Sequence, residues 1–273
     1  MFQKVDTLRT ADAVVQQIEE LILNGVLRPG DRLPSERDLA VELDVSRPVL
    51  RAALKTLEER YLVVARQGGG TFIADVIGPI FSEPIIDLVE RHPAARADYL
   101  EFRRDIEAIA AAHAAERATS QDHTILTQIL VQMDEAFLGD ELDTREPELD
   151  IELHQAIGEA AHNVILLHNL RSCYRLLENG VFCNRQKLYG HPTARKKILD
   201  QHHLLVERIC ARDAAGAFDA AQNHIDFVGQ ALLEAEATDN RQAVASLRQH
   251  HRGSSTKPSN PTLSKTNKQH ISR

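Results

Sequence analysis

LPSERDLAVELDVSRPVLRAALKTLEERYLVVARQGGGTFI, residues Leu33–Ile73, is the stretch that decides the fold. Ser35-Glu36-Arg37-Asp38 puts a side-chain oxygen at the head of an apolar-periodic run, which suits a helix N-cap. Leu39, Ala40 and Leu43 then share one helical face, and Leu43-Asp44-Val45 reads as a tight turn. Ser46 is a second expected cap. Pro48 follows in the first turn, where a missing N–H breaks no intrahelical bond. That helix runs to about Arg60 with Val49, Ala53, Leu54 and Leu57 inward. Leu62–Ala65 and Thr71–Ile73 read as short strands around Gly68-Gly69-Gly70, a hairpin. Upstream, Val14, Val15, Ile18, Leu21 and Ile22 predict a helix over 8–24, stopped by Asn24-Gly25, and Arg28-Pro29-Gly30-Asp31 forms a turn. Helix, helix, turn, helix, hairpin is the order of a winged helix-turn-helix, assigned to residues 1–76.

The chemistry of that unit is set by its third helix, which exposes Arg47 and Arg51 one turn apart on one face. A recognition helix offers its N-terminal residues to base edges in the major groove. Arginine bonds both acceptors of guanine at once. The whole chain carries a net charge of −8, which argues against nucleic acid, but the average conceals a local stripe. Between Val45 and Ile73, Arg47, Arg51, Lys55, Arg60 and Arg66 face only Glu58 and Glu59. Local charge decides contact with phosphate. Arginines four apart also occur on ordinary solvated helices. The capped turn and the glycine-rich wing tilt the reading toward DNA, and Gly68 at the wing tip permits close backbone approach.

Leu27-Arg28-Pro29-Gly30, Leu33–Ala40, Val45–Leu54 and Arg66–Phe72 together resemble the signature of the GntR family. The resemblance implies that Arg37, Arg47 and Arg51 contact an operator. It places Ser46 and Pro48 at the phosphate or base surface and Gly68 at the wing tip. It also implies a homodimer on a palindromic double-stranded operator.

Beyond Val76-Ile77-Gly78-Pro79, a boundary, the pattern is helical throughout. Helices are expected near 82–91, 96–118, 121–138, 146–161, 163–188, 194–212 and 214–236, with Pro84, Pro93, Pro147 and Pro192 at or near their starts. The fold class is mostly α, with residues 77–238 an all-α antiparallel bundle. Phe81–Pro84, Glu159–Leu167 and Leu188–Pro192 resemble the helical effector-binding domain (FCD) of the FadR subfamily, nearest to regulators of pyruvate dehydrogenase, lactate and glycolate genes. The function implied is a repressor or dual regulator sensing a small 2-hydroxy or 2-oxo acid. The alternatives are a sugar acid, a dicarboxylate or a fatty-acyl ligand.

Asp150 and His154 stand four apart and share one helical face, with further histidines at His202, His203 and His224. By spacing alone, such an Asp/His pair is more commonly a surface hydrogen bond than part of a metal site. A carboxylate with imidazoles suits zinc, nickel or a similar divalent ion, and leaves coordination positions open for a carboxylate. The subfamily resemblance implies a metal site of Asp150, His154, His202 and His224. His202 is preferred because the subfamily spaces its last two histidines about 22 residues apart. Its neighbour His203 points roughly 100° away. The resemblance also makes Arg103 the anchor of an effector carboxylate, against an ordinary surface ion pair with Glu107 four residues on. Asn163 is placed with it as an effector contact, with a helix cap as the alternative.

Other classes are weaker. Asp150, His154 and another histidine would match the 2-His-1-carboxylate set of iron oxygenases, but no nucleophile, cofactor loop or acid/base pair accompanies them. A purely architectural DNA-binding protein would lack a sensor. No apolar run reaches the roughly 18 residues of a membrane span. Cys173, Cys183 and Cys210 lack paired spacing and read as reduced thiols of a cytoplasmic protein. Residues 239–273 carry seven Lys and Arg against one Asp with little apolar periodicity, so a disordered basic tail is expected.

Overall fold

A computed structural model of the chain describes residues 7–66, 68–76, 83–139, 145–178 and 192–254. It begins with α1 (Thr7–Leu23), α2 (Glu36–Glu42), α3 (Arg47–Glu59), β1 (Val63–Arg66) and β2 (Gly70–Ile73). Val14, Val15 and Ile18 of α1 pack on Leu39, Leu50, Leu57, Val63 and Ile73, so three helices and the hairpin enclose one core. The strands are antiparallel, with Val63 opposite Ile73 and Arg66 opposite Gly70. Arg66 lies 4.5 Å over the Phe72 ring, which stiffens the wing. Ser35 caps α2 by accepting from Asp38 N, as its sequence predicts. Ser46 occupies the N-cap position of α3 without making the expected side-chain cap, so Pro48 and the backbone start that helix alone.

The second unit comprises α4 (Glu83–Arg91), α5 (Pro93–Arg117), α6 (Ser120–Leu138), α7 (Arg145–Ala160), α8 (Val164–Glu178), α9 (Pro192–Cys210) and α10 (Ala214–Ser254). α5 is the central helix. Its buried alanines 108, 111, 114 and 115 form a small-residue face against Ala217, Ala220 and Ala221 of α10. Side chains this small let the two backbones approach closely while still excluding water. Thr119 and Asp122 form a reciprocal capping box that starts α6. Arg195 of α9 bonds Glu146 of α7 and the Ala136 and Phe137 carbonyls at the end of α6. That guanidinium therefore fixes the starts of α7 and α9 together, and those helices carry three of the four expected ligands.

One expectation changes, and another is only partly covered. The tail is helical as far as Ser254, where a solvated helix replaces the disorder expected from 239. The reason is propensity without burial: Arg241 to Arg252 holds good helix formers, with no Gly or Pro before Gly253. The helix expected over 163–188 is seen to Glu178, and its remainder, with Cys183, lies outside the described residues. The boundary at 77–79 and residues 255–273 lie outside them too.

The two units meet through a polar joint. Glu159 of α7 accepts from Arg28 at 2.9 Å and from Arg171 at 2.7 Å. Arg171 also donates to the Gly25 carbonyl at 3.0 Å, and His168 bonds the Leu23 carbonyl at 3.1 Å. Gly25 is favoured there by its φ of +73°, and a Cβ would stand 2.4 Å from Arg171 Nη2, the far end of a side chain that would have to shift. Gly25→Ala should lower stability by about 1–2 kcal/mol from the left-handed backbone alone and loosen the Arg171 contact. Urea unfolding and hydrogen exchange at residues 23–28 check both effects.

Candidate nucleic-acid interface and candidate metal centre

On the first unit, Arg37, Ser46, Arg47, Pro48, Arg51 and Gly68 are all exposed. α3 exists as an amphipathic helix because Leu50, Ala53 and Leu57 face the core, leaving Arg47 and Arg51 on the opposite side. Arg51 Nε donates to Glu36 at 2.7 Å and Arg37 Nε to Asp38 at 3.2 Å. Both pairs are solvated, so exchanging them for a duplex costs little. The carboxyl of Asp38 is held below its ordinary range by its bonds to Ser35 and Arg37. Gly68, at φ +73°, turns the wing tip.

In the second unit the structure brings Asp150, His154, His202 and His224 together. One ligand atom from each lies within 4.8 Å of the others, and all four residues are buried. The rings of His202 and His224 are 4.5 Å apart, and His154 stands 5.4 and 5.2 Å from them. Asp150 and His154 come from successive turns of α7, His202 from α9 and His224 from α10. His203 points elsewhere, to Asp134 at 2.8 Å, as the helical offset requires.

The donor set fits a divalent ion. His154 Nδ1 donates to Glu107 Oε2 at 2.7 Å, which leaves the lone pair on Nε2. That Nε2 is buried without a hydrogen-bond partner, an arrangement that is costly unless a cation takes the lone pair. His224 Nδ1 meets Gln201 Oε1 at 3.2 Å, which likewise leaves its Nε2 as acceptor. Burial, together with His202 and His154, pushes His224 well below the ordinary imidazole range, so the ring is a neutral ligand. Bonds of about 2.0–2.2 Å hold ligand atoms at most about 4.4 Å apart, within a small rotamer adjustment of the observed spread.

Arg103 and Glu107 form the predicted i,i+4 pair, but inside the protein and not on its surface: they are 1% and 4% exposed. Burial raises the Glu107 carboxyl, yet Arg103 and His154 outweigh it and hold the group at about 2. Its bond to His154 is the contact that sequence reasoning missed. A signal was present, since Tyr99, Arg103, Glu107, Ala110, Ala111 and Ala114 are all buried at helical spacing on α5. Two charged groups on an inner face demand partners. Asn163 makes the helix-cap contact: its Oδ1 accepts from Leu166 N at the head of α8. Burial pushes the Cys173 thiol up to about 12, which makes it an inert space-filler.

Comparison with known proteins agrees with both halves. The model of the gntR family of bacterial regulatory proteins matches residues 10–73, and that of the FCD domain matches 98–227. An Escherichia coli protein named for regulation of the L-lactate dehydrogenase operon is 35% identical over 81% of this chain and 85% of its own length. The Glc operon transcriptional activator of the same organism is 33% identical over 82% and 89%. Its Uxu operon transcriptional regulator is 32% identical over 85% and 90%. Among solved structures, Streptococcus agalactiae GntR shares the fold, with a TM-score of 0.50, 24% identity and coverage of 81% of this chain and 98% of that one. With a winged helix-turn-helix at one end and a helical sensor bundle at the other, this chain belongs to the GntR family as a transcriptional regulator with an FCD domain, and it is not an enzyme.

Proposed function

We propose that the protein is a homodimeric, ligand-gated repressor that binds a palindromic operator and senses a small 2-hydroxy or 2-oxo monocarboxylate on a divalent ion, zinc or nickel. The observation that carries this reading is the buried Asp150/His154/His202/His224 cluster beside the Arg103–Glu107 pair. When bound, the ion supplies Lewis acidity for a carboxylate and an α-oxygen. The four residues would hold it, and Arg103 would orient the acid. A divalent ion and Arg103 bring three positive charges against two negative ones from Asp150 and Glu107. One positive charge remains, which suits a monoanion. The relatives named for the lactate and Glc operons favour the same class of ligand, and the one named for the Uxu operon keeps a sugar acid as the alternative.

The route from sensor to reading head is α7. It carries Asp150 and His154 in the cluster and Glu159 in the joint with Arg28 and Arg171. A shift of this helix moves both ends at once. For release, the acid must bind the DNA-incompetent arrangement more tightly than the competent one. A coupling of about 1–3 kcal/mol is the ordinary range for such a device.

A thermal-shift screen of lactate, glycolate, pyruvate, glyoxylate, citrate and glucuronate, with and without zinc, tests the reading. Zinc-dependent stabilisation by a small monocarboxylate is expected. A response confined to citrate would reject the monoanion, one confined to glucuronate would replace the small 2-hydroxy or 2-oxo acid by a sugar acid, and stabilisation by no acid would reject the sensor.

A further inference from the structure

Glu107 joins two groups that the proposed sensing mechanism needs. Its Oε1 accepts from Arg103 Nε, and its Oε2 accepts from His154 Nδ1 at 2.7 Å. Both partners are donors. A carboxylate answers both because it has two acceptor oxygens and no hydrogen. All three side chains are almost wholly buried, so no bulk water can stand in for a lost bond. Their backbones are also firmly placed. Arg103 and Glu107 lie one turn apart on α5, and Tyr174 donates to the His154 carbonyl at 3.3 Å.

Building on the function proposed above, we propose that Glu107 is a positioning residue that locks His154 in its metal-ligating tautomer and holds Arg103 in the same grip, so that the ion and the guanidinium that receives the effector move as one unit. The Nδ1–H bond to Glu107 aims Nε2 at the cluster. Outer partners of this kind are typically worth 10–100-fold in metal affinity. The Nε bond fixes the plane of the guanidinium. Effector occupancy at Arg103 is thereby felt at His154, and so along α7.

The amide of Glu107→Gln has one acceptor oxygen and one NH2 group. It must turn a donor toward either Arg103 Nε–H or His154 Nδ1–H. The conflict disappears when Arg103 is also replaced. Zinc affinity is measured by chelator competition, and ligand geometry by the visible bands of the cobalt(II)-loaded full chain. The variants are Glu107→Gln, Arg103→Met, Arg103→Met/Glu107→Gln and Arg103→Met/Glu107→Leu. Glu107→Gln should weaken zinc 10–100-fold, or keep zinc while losing the lactate- or glycolate-induced change in the cobalt bands. Arg103→Met/Glu107→Gln should return to within threefold of Arg103→Met, because the amide oxygen then serves His154 alone. Arg103→Met/Glu107→Leu, which offers no acceptor, should stay 10–100-fold weaker.

Wild-type-like zinc affinity and effector response in Glu107→Gln would overturn the inference. So would equal zinc affinity in the two double variants, and that comparison stands even if Glu107→Gln fails to fold. A wild-type chain that takes up neither zinc nor cobalt would overturn the metal-based function as well, which separates the two failures.

Discussion

Replacing Arg47 or Arg51 by alanine should abolish discrimination between the proposed palindromic operator and scrambled DNA, while the helical second unit stays folded and the proposed dimer persists. Both guanidinium groups project from the solvent face of α3, whose opposite face is anchored by Leu50, Ala53 and Leu57. Their removal therefore leaves the core of the first unit intact. A bidentate arginine–guanine pair is worth about 1–3 kcal/mol, roughly a 5- to 150-fold loss per site. Two copies of each arginine in a dimer compound it. Arg51 reaches the base only by leaving Glu36, and a solvated pair contributes at most about 1 kcal/mol. Fluorescence anisotropy against operator and scrambled duplexes, repeated over salt, makes the measurement. Phosphate contacts persist in the variants, so weak non-specific binding with its salt dependence should survive. Variants that still prefer the operator tenfold or more would show that another surface reads the sequence.

The second large effect lies in the sensor. His154→Ala or His202→Ala should strip the bound ion and silence the effector, with operator affinity kept within about threefold. Each histidine is one of the four proposed ligands, and both are buried. Loss of a ligand exceeds the roughly 10–100-fold that outer partners cost, so elemental analysis after dialysis should find the metal gone. A ligand at a hundred times its dissociation constant stabilises by about 2.7 kcal/mol. That increment should vanish with the ion. His203→Ala is the matched control, because its ring bonds Asp134 outside the cluster and should leave metal content unchanged. Equal metal in all three variants would sink the ligand assignment.

The same two sites show how much is legible in a sequence. The first unit is readable because its information is local. Ser35 before a periodic stretch, Pro48 in a first turn, and glycines between two β-rich runs each fix a neighbouring bond or dihedral. The Ser46 side chain departs from that pattern because a cap needs both a suitable residue and a rotamer turned toward the helix, and here the hydroxyl accepts no cap hydrogen bond. The tail misled for the opposite reason: low apolar content argues against burial, but a helix continuing from a packed stem needs only propensity.

In the second unit, residue types and periods alone give the candidate ligands: Asp150 and His154 stand one turn apart, and the helical offset between His202 and His203 allows only one of those rings to face inward. Tertiary structure alone decided that α5, α7, α9 and α10 set those groups side by side, that Arg103 is enclosed with Glu107, and that Glu107 spends its second oxygen on His154. Residues 107 and 154 are brought together by helix packing, which sums many weak apolar contacts along both helices. No local pattern encodes which turn of one helix will face which turn of another.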